Sequence, residues 1–580
     1  MFFRLPQRVQ SGGKRVFALE ISMPLSQLEN FSQIFTVGYG YAYLGLAIAS
    51  GITLFFASLK FLLSLQQSGY KNKRYYKWLS NKKTSYRSRL MLLSMLGFLF
   101  SCVLSIFFEP LVGEAVSPFL GFISYFLFVI LYINTESSVN AKVPLNKTKR
   151  LVRLSIVHII FLTALSFGVL VLCDYLFFLV NNRVVQLLRY SIICFLPIIL
   201  PALLAFTNLI VGPLENAISA RYVRKATAKL DQSKVIKIGI TGSYGKTSVK
   251  EILKTILSQK YRVLATPSSY NTPLGIALAV KNLDSTHDVF IAEMGARSVG
   301  DVKVLADMVK PFYGVITGIN SQHLETFGSV ENVKRTKFEL IENLAEGGEG
   351  FFSSDSEGAK ELFDKCGKSK SVAGISGEQN LVSATNISTS AKGMKFMLNV
   401  KGEQPVECTT VLLGNHSVSN ICLAAAVAYK IGLTPREIAS GINRIQPVNH
   451  RLELVPNNQN IVIIDDSYNS NENGVKAALE VLSTFEGRKI VFTPGLVELG
   501  KIENLANYEF GKVLAQHADL VFVIGKHNAE MLITGLLEGG MDRERIKFAS
   551  SLNKGNAMLN KILVEGDVVL FENDLPDNYE

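Results

Sequence analysis

No Gly-x-Ser-x-Gly elbow and no helical His-Glu-x-x-His occurs in this sequence, so neither a serine-hydrolase nor a zinc-peptidase reading has a starting point. Cysteine is scarce as well. The six residues, Cys102, Cys173, Cys194, Cys366, Cys408 and Cys422, include no pair spaced as a metal site needs. A chain of 580 residues with so few does not rest on a disulfide framework, so they read as reduced and mostly buried. No basic stripe interleaves with aromatics outside the loops between apolar runs, which argues against nucleic acid as a partner. Charge is sparse at 19% of residues and tilted to base, 60 Lys and Arg against 48 Asp and Glu, for a net +12 and a pI near 9.2. What the chain has instead is apolar length. Mean hydropathy is +0.25, and the excess lies before about residue 220.

A membrane span needs roughly 20 mostly apolar residues. Five stretches qualify: Ile34–Leu65, Leu90–Val112, Val116–Ile133, Leu154–Val180 and Leu187–Val211. The first is long enough for a tilted or broken helix, and the third is short. Lys and Arg concentrate in alternate connections, which sets orientation. Lys71, Lys73, Arg74, Lys77, Lys82, Lys83, Arg87 and Arg89 follow the first stretch; Lys142, Lys147, Lys149, Arg150 and Arg153 precede the fourth; Arg221, Arg224, Lys225 and Lys229 follow the fifth. The connection after the second stretch carries none. These counts predict a multi-pass protein of the cytoplasmic membrane, with everything after Arg221 in the cytoplasm. Asp174 falls inside the fourth stretch, either as a functional intramembrane group or as a residue wetted near the outer interface.

Behind this part the pattern changes to alternating strands and helices. Val235–Ile240 is a β-branched run, followed by Thr241-Gly242-Ser243-Tyr244-Gly245-Lys246-Thr247-Ser248 and a helical pattern over Val249–Leu257. Strand, glycine loop and helix together cradle phosphates: backbone N–H groups turn inward and the helix N-terminus favours anions. Lys246 can reach the outer phosphates and Thr247 can offer its hydroxyl to Mg²⁺. The longer P-loop form would have glycine where Ile240 stands, so this is the shorter Gly-x-x-Gly-Lys-Thr version. A second strand, Val289–Ala292, ends in Glu293-Met294-Gly295-Ala296, which puts a carboxylate beside the phosphate loop. A third, Val315–Ile319, leads into Asn320-Ser321-Gln322-His323-Leu324, and Lys337 follows on a helix. By itself a lone His323 is more often structural than a ligand, and a lone Lys337 is normally a solvated surface charge.

With these residues in order, the chain resembles the Mur ligase family. The resemblance rests on Thr241–Thr247, Asn271-Thr272-Pro273-Leu274-Gly275, Glu293–Ala296, His323-Leu324-Glu325 and Lys337. It continues through Gly414-Asn415-His416-Ser417-Val418-Ser419-Asn420, His450-Arg451-Leu452-Glu453 and Asp465-Asp466-Ser467-Tyr468-Asn469-Ser470-Asn471. It covers roughly residues 235–570, and the wording is nearest to members that add D-alanyl-D-alanine to a UDP-muramoyl tripeptide. The apolar stretches give a multi-span helical part (1–220), and behind it the resemblance implies a central α/β P-loop ATP-binding domain (221–446) and a C-terminal Rossmann-like domain (447–580). It implies that Gly242, Ser243, Tyr244, Gly245, Lys246, Thr247 and Ser248 bind ATP phosphates. Thr247 and Glu293 would hold one Mg²⁺, and His323 would help hold a second. Lys337 would be carbamylated and serve as an anionic ligand, while Asn420 would meet adenine, Arg451 phosphate and Asp466 ribose. The activity implied is ATP-dependent amide-bond ligation in cell-wall peptidoglycan or envelope synthesis, with an acyl phosphate intermediate. Its partners would be an anionic peptide or lipid-linked acceptor, an amino acid or dipeptide, the bilayer and other envelope-synthesis proteins.

Two departures bear on the substrate. Apolar stretches stand where the family carries its UDP-gripping domain, and the tail Glu572-Asn573-Asp574-Leu575-Pro576-Asp577-Asn578-Tyr579 is acidic where a basic stretch is expected. Rival readings are a membrane-associated poly-γ-glutamate-type synthetase and a transporter or scaffold with a degenerate ligase domain. Retention of Lys246, Glu293, His323 and Lys337 argues against the last, and the four-cysteine insertion of the family's amidotransferase-coupled members is missing. At the N-terminus, Arg4, Arg8, Lys14 and Arg15 conflict with an outside location in a five-span scheme, whereas a start at Met23 removes the conflict. An even number of spans, with the first stretch re-entrant at Gly51, is the alternative.

Overall fold

The computed structural model describes residues 37–80, 86–113, 117–137, 145–178, 182, 184, 187–267, 270–320, 327–390, 393–447, 452–455, 460–467, 472–497, 499 and 502–573. Met23, His323, Arg451, Tyr468–Asn471 and the tail after Asn573 lie outside these residues. The chain divides into two units, Met1–Glu215 and Asn216–Glu580.

The first unit is helical: Val37–Ala57, Leu59–Gln67, Asn72–Ser80, Tyr86–Phe107, Leu120–Ser137, Lys149–Phe178, a 3₁₀ run Ser191–Ile199, and the start of Leu200–Gln232. Its helices carry apolar side chains on their outward faces too; Leu99, Val103 and Phe107 are 59%, 59% and 73% exposed. A helix apolar all round belongs in a larger apolar medium. Among the described residues a helix stands at each of the five expected stretches, and three of them have spanning length. Ser88–Phe107, Lys149–Tyr175 and Ser191–Gln232 are long and apolar enough to cross a membrane. The first stretch is a pair, Tyr41–Ala57 and Leu59–Gln67, bent by 47°, in keeping with the broken helix its length allows. The third yields only the shorter helix Leu120–Thr135, because Gly113 and Pro118 stop the pattern before a full span has formed. The fifth opens as the 3₁₀ run around Pro197 and continues well past Val211.

Small and hydroxylated residues let these helices approach. Ser50 Oγ lies 2.8 Å from Tyr125 Oη and 2.9 Å from Ser166 Oγ, and a Cβ on Gly51 would stand 2.2 Å from Thr163 Oγ1. Asp174 is not solitary. It accepts from the Tyr43 and Tyr190 hydroxyls, the latter at 2.7 Å, and Arg189 Nε is 3.3 Å away. Arg153 and Glu215 form a forked ion pair, with Nη2 to Oε2 at 2.8 Å.

The second unit holds two sheets. The nine-stranded sheet contains β1 (Ile236–Thr241), β2 (Val263–Ala265), β3 (Val289–Glu293), β4 (Tyr313–Ile316), β5 (Glu349–Ser353), β6 (Ser369–Ala373), β7 (Val382–Ser390), β8 (Gly393–Val400) and β9 (Val406–Thr410), in the order β2-β3-β1-β4-β5-β6-β7-β8-β9. It is parallel from β2 to β7 and closes with the antiparallel ribbon β7-β8-β9. Strands β1 and β3 are buried almost end to end, as strands covered on both faces must be. One face is covered by helices Lys246–Leu257 and Asn415–Ile431, whose Leu253, Ile256, Ile421 and Ala425 share a core with Ile238 and Val289.

The six-stranded sheet contains β10 (Glu453–Val455), β11 (Val462–Asp466), β12 (Lys489–Thr493), β13 (Leu520–Ile524), β14 (Ile546–Ala549) and β15 (Val568–Glu572), ordered β10-β11-β15-β12-β13-β14. It is parallel except for β10, which pairs antiparallel with β11 at the edge, a departure from the all-parallel sheet that the strand–helix alternation predicts.

Candidate active site

The site forms where the carboxyl ends of β3, β1 and β4 lie side by side. The β1–β3 register sets Ile240 opposite Glu293, and the β1–β4 register sets Thr241 opposite Ile316. Chain order reverses at β1, with β3 on one side and β4 on the other, and open α/β sheets bind ligands at such a switch point. The loop after β1 leads directly into helix Lys246–Leu257, with Gly245 as its N-cap at φ +78°. Side-chain space is denied at two positions. A Cβ on Gly242 would stand 2.1 Å from Thr317 Oγ1, and one on Gly318 would stand 2.2 Å from Tyr244 Cζ. The loop is therefore clamped by the segment after β4: Ser243 N donates to Gly318 O at 2.6 Å, and the Thr317 hydroxyl donates to Tyr244 O.

Within this frame Lys246 Nζ donates to the Gly242 and Ser243 carbonyls at 2.8 and 3.1 Å. Thr247 Oγ1 donates to Glu293 Oε2 at 3.0 Å. Glu293 is 2% exposed, and its backbone N–H donates to Thr266 Oγ1 at 3.0 Å. Its Oε1 accepts from Asn271 Nδ2 at 3.3 Å, and its Oε2 also takes Lys250 Nζ at 3.2 Å. Ser248 sits half-buried in the helix's first turn. Lys337, on helix Val330–Glu342, is 3% exposed, with Nζ 5.9 Å from the centre of the Phe327 ring. Burial pushes its ammonium down to about 7; the positive charge of Lys246 adds to the shift, while Asp301 and Glu339 oppose it. A surface lysine would show none of this, so the solvated-charge reading of Lys337 is excluded.

The structure thus bonds Thr247 to Glu293, holds the neighbouring Lys246 on the carbonyls of its own loop, and sets Lys337 within electrostatic reach of Lys246. Asn420, on helix Asn415–Ile431, lies against the phosphate loop itself: a Cβ on Gly245 would be 3.0 Å from its Oδ1. Asp466 ends β11 on the other sheet, where its Oδ1 accepts from Leu452 N at 3.2 Å. His323 is outside the described residues, but its segment begins at Asn320, whose N–H donates to Ser243 Oγ at 3.3 Å.

Sequence reasoning missed Lys250, Thr266 and Thr317, and gave Asn271 a place in a motif without a role. Lys250 carried a readable signal, since it shares a helix face with Leu253 and Leu257 at the i, i+3, i+7 spacing of buried positions.

The donor set suits a hard cation. A threonine hydroxyl and a carboxylate, 3.0 Å apart beside a phosphate cradle, are the oxygen ligands Mg²⁺ takes when it completes its shell with phosphates and water. Among the described residues no group of three or more His, Cys, Asp or Glu side chains converges to hold an ion by itself.

Residues 240–428 match the Mur ligase middle domain, and residues 450–572 match the Mur ligase glutamate ligase domain. The UDP-N-acetylmuramoyl-tripeptide–D-alanyl-D-alanine ligase of Bacillus subtilis is 28% identical over 352 residues, which are 60% of this chain and 75% of that enzyme. The same enzyme from Escherichia coli is 28% identical over 335 residues, 57% of this chain and 73% of that one. Among solved structures, MurF from Acinetobacter baumannii superposes with a TM-score of 0.56 at 24% identity, over 61% of this chain and 77% of that one. MurF ligase from Thermotoga maritima in complex with ADP gives 0.55 at 23% identity, over 61% and 80%. At these identities the structures attest the fold alone. Residues 240–572 carry the middle and C-terminal domains of the Mur ligase family, whose members are ATP-dependent acid–amino-acid ligases.

Proposed function

We propose that this chain joins an amino acid or dipeptide, D-alanyl-D-alanine among the candidates, to the carboxylate of a muramoyl-peptide-type acceptor, using ATP, at the cytoplasmic face of the membrane. The observation that carries this reading is the Thr247–Glu293 pair at the phosphate loop, with Lys246 held on the loop carbonyls and the buried Lys337 within its electrostatic reach. A carboxylate is a poor acyl donor because oxide is a poor leaving group. Transfer of the γ-phosphoryl group to a carboxylate oxygen makes an acyl phosphate. The amine then attacks the carbonyl carbon, and the tetrahedral intermediate expels phosphate to leave the amide. Negative charge gathers on the γ-phosphoryl oxygens and the incoming carboxylate, and fixed cations lower that barrier.

Lys246 exchanges its two backbone carbonyls for outer phosphate oxygens, and the amides of Gly242–Ser248 hold the phosphates from behind. Thr247 and Glu293 would hold one Mg²⁺; His323 would help hold a second, together with the carbamate of Lys337. When bound, the metals supply positive charge at the transferring phosphoryl group. Lys337 has the free base that carbamylation needs, because its ammonium is pushed down to about 7. Asn420 toward adenine, Arg451 toward phosphate and Asp466 toward ribose complete the ATP contacts of this reading. The division 1–220, 221–446 and 447–580 assigns anchoring to the first part, ATP to the second and closure over the amine to the third.

The test uses the full chain in detergent or nanodiscs with ATP and Mg²⁺, an amine panel, and two acceptor forms, a soluble UDP-linked muramoyl peptide and its lipid-linked counterpart. The expected result is ADP release that requires both acceptor and amine, with the amide found by mass spectrometry. The preferred acceptor form decides whether a lipid carries the substrate. ATP turnover only with glutamate polymers supports the synthetase reading instead, and no turnover on any pair overturns the ligase reading.

A further inference from the structure

Lys250 is fully buried, with 0% of its side chain exposed, inside the helix that begins at the phosphate loop. Its Nζ lies 3.2 Å from Glu293 Oε2, the oxygen that also takes the Thr247 hydroxyl, and 3.4 Å from Glu251 Oε1. Buried ion pairs are weak contributors to stability, and well-packed apolar residues of similar size often replace them without loss. The fold alone therefore gives little reason for an ammonium at this depth. The partner gives one. Glu293 is the anionic oxygen donor of the metal site, and without a counter-charge it would stand as a bare buried carboxylate next to where ATP phosphates arrive.

We propose that Lys250 is a positioning residue that occupies and neutralises Glu293 in the nucleotide-free site, making divalent-cation binding conditional on the nucleotide. This rests on the nucleotide-site reading above. A cation approaching alone meets a carboxylate already satisfied by Lys250, Thr247 and Asn271. A cation arriving with a triphosphate brings several further anionic oxygens, which outweigh the lysine. The flexible four-carbon stem lets the ammonium move aside while keeping Glu251 as its other partner. The same arrangement lowers the repulsion that Glu293 would otherwise exert on incoming ATP.

The experiment measures Mn²⁺ binding to the full-length protein by electron paramagnetic resonance, with and without a non-hydrolysable ATP analogue. Wild type is expected to bind Mn²⁺ weakly alone and tightly with the analogue. Lys250→Met is expected to bind Mn²⁺ alone at least tenfold more tightly than wild type, and the gain should vanish in Lys250→Met/Glu293→Gln. Lys250→Gln separates charge from hydrogen bonding, since it keeps a donor toward Glu293 but no charge. The proposal expects it to follow Lys250→Met, whereas a packing role makes it resemble wild type. Lys250→Arg should behave as wild type. Unchanged or weaker Mn²⁺ binding by both uncharged variants overturns the proposal. So does failure of both to fold while Lys250→Arg folds, which assigns the lysine to the fold. Wild type that binds no Mn²⁺ even with the analogue fails the nucleotide-site reading itself, a distinguishable result.

Discussion

Lys246 and Lys337 act near one another, yet their surroundings ask opposite things of an ammonium. Lys246 is half-buried and donates to two carbonyls, contacts that favour the cation and that phosphate oxygens can replace. Lys246→Ala is expected to lower ligation by on the order of 10²–10³-fold or more, the scale for losing one preorganised donor, with an unchanged melting temperature. Near-normal turnover would remove the phosphate assignment. Lys337 is held toward the neutral form. Its usual 10.5 falls to about 7 on folding, so the unfolded chain binds the extra proton between those values, and the burial penalty is full below about 7 and gone above about 10.5. In bicarbonate-free buffer Lys337→Met should melt above wild type at pH 7, and the gap should close toward pH 10; a pH-independent gap refutes the shift. Activity that depends on the carbamate should rise with pH through about 7 and fall when bicarbonate is removed, and a small carboxylic acid should partly restore Lys337→Ala. The sequence showed which lysines sit near motifs. The burial of Lys250 was legible in its spacing to Leu253 and Leu257, but its partner was not, because Glu293 lies 43 residues further on across a strand pairing no local pattern reveals.

At the scale of elements, the strands that carry the site were legible within two or three residues at each end, because long β-branched runs bounded by glycine loops admit little else. Val289–Ala292 gained Glu293, and Val315–Ile319 became Tyr313–Ile316, its end drawn into the clamp around Gly318. The ribbon β7-β8-β9 drew no reading, since it lies outside the motifs, and the edge strand β10 is three residues that begin at the last residue of the His450–Glu453 motif, too short to show a period. Clamp geometry yields a test of its own. Gly318→Ala places a Cβ in the Tyr244 ring and is expected to cost about 1–3 kcal/mol and weaken ATP binding. Adding Tyr244→Ala should recover part of that loss, because residues in contact couple. Strict additivity of the two melting shifts would show that the ring does not hold the loop. In the helical unit, by contrast, hydropathy found the apolar stretches and allowed a break in the first, but did not place the breaks. The bend at Ser58 and the 3₁₀ run at Pro197 arise from local backbone choices that a window average smooths away.

For the whole molecule the quantities to test are whether the helical unit crosses a membrane and how many times. Arg153 and Asp174 lie 21 residues apart on one helix, roughly 30 Å at 1.5 Å per residue, and each is ion-paired, with Glu215 and Arg189 respectively. That separation matches the hydrocarbon thickness, so if this helix spans a bilayer the two pairs would stand at its opposite interfaces. Helix Leu120–Thr135 is the ambiguous element: too short for a comfortable crossing, yet packed inside the unit through Tyr125 and Ser124. If it crosses, Gly113 and Lys147 face opposite sides, and the basic run Lys147, Lys149, Arg150 and Arg153 stays with the ligase domains, as the distribution of positive charge demands. Single cysteines at Gly113 and Lys147, in a background whose native cysteines are replaced, decide it with a membrane-impermeant maleimide. Gly113→Cys should label in intact cells, and Lys147→Cys only after permeabilisation, together with cysteines placed after Arg221. Labelling of both from outside, or of neither, would make Leu120–Thr135 a helix that enters and leaves by the same face. A cysteine after Arg221 that labels in intact cells would put the phosphate loop where no ATP is supplied, and would end the ligase reading for the living cell.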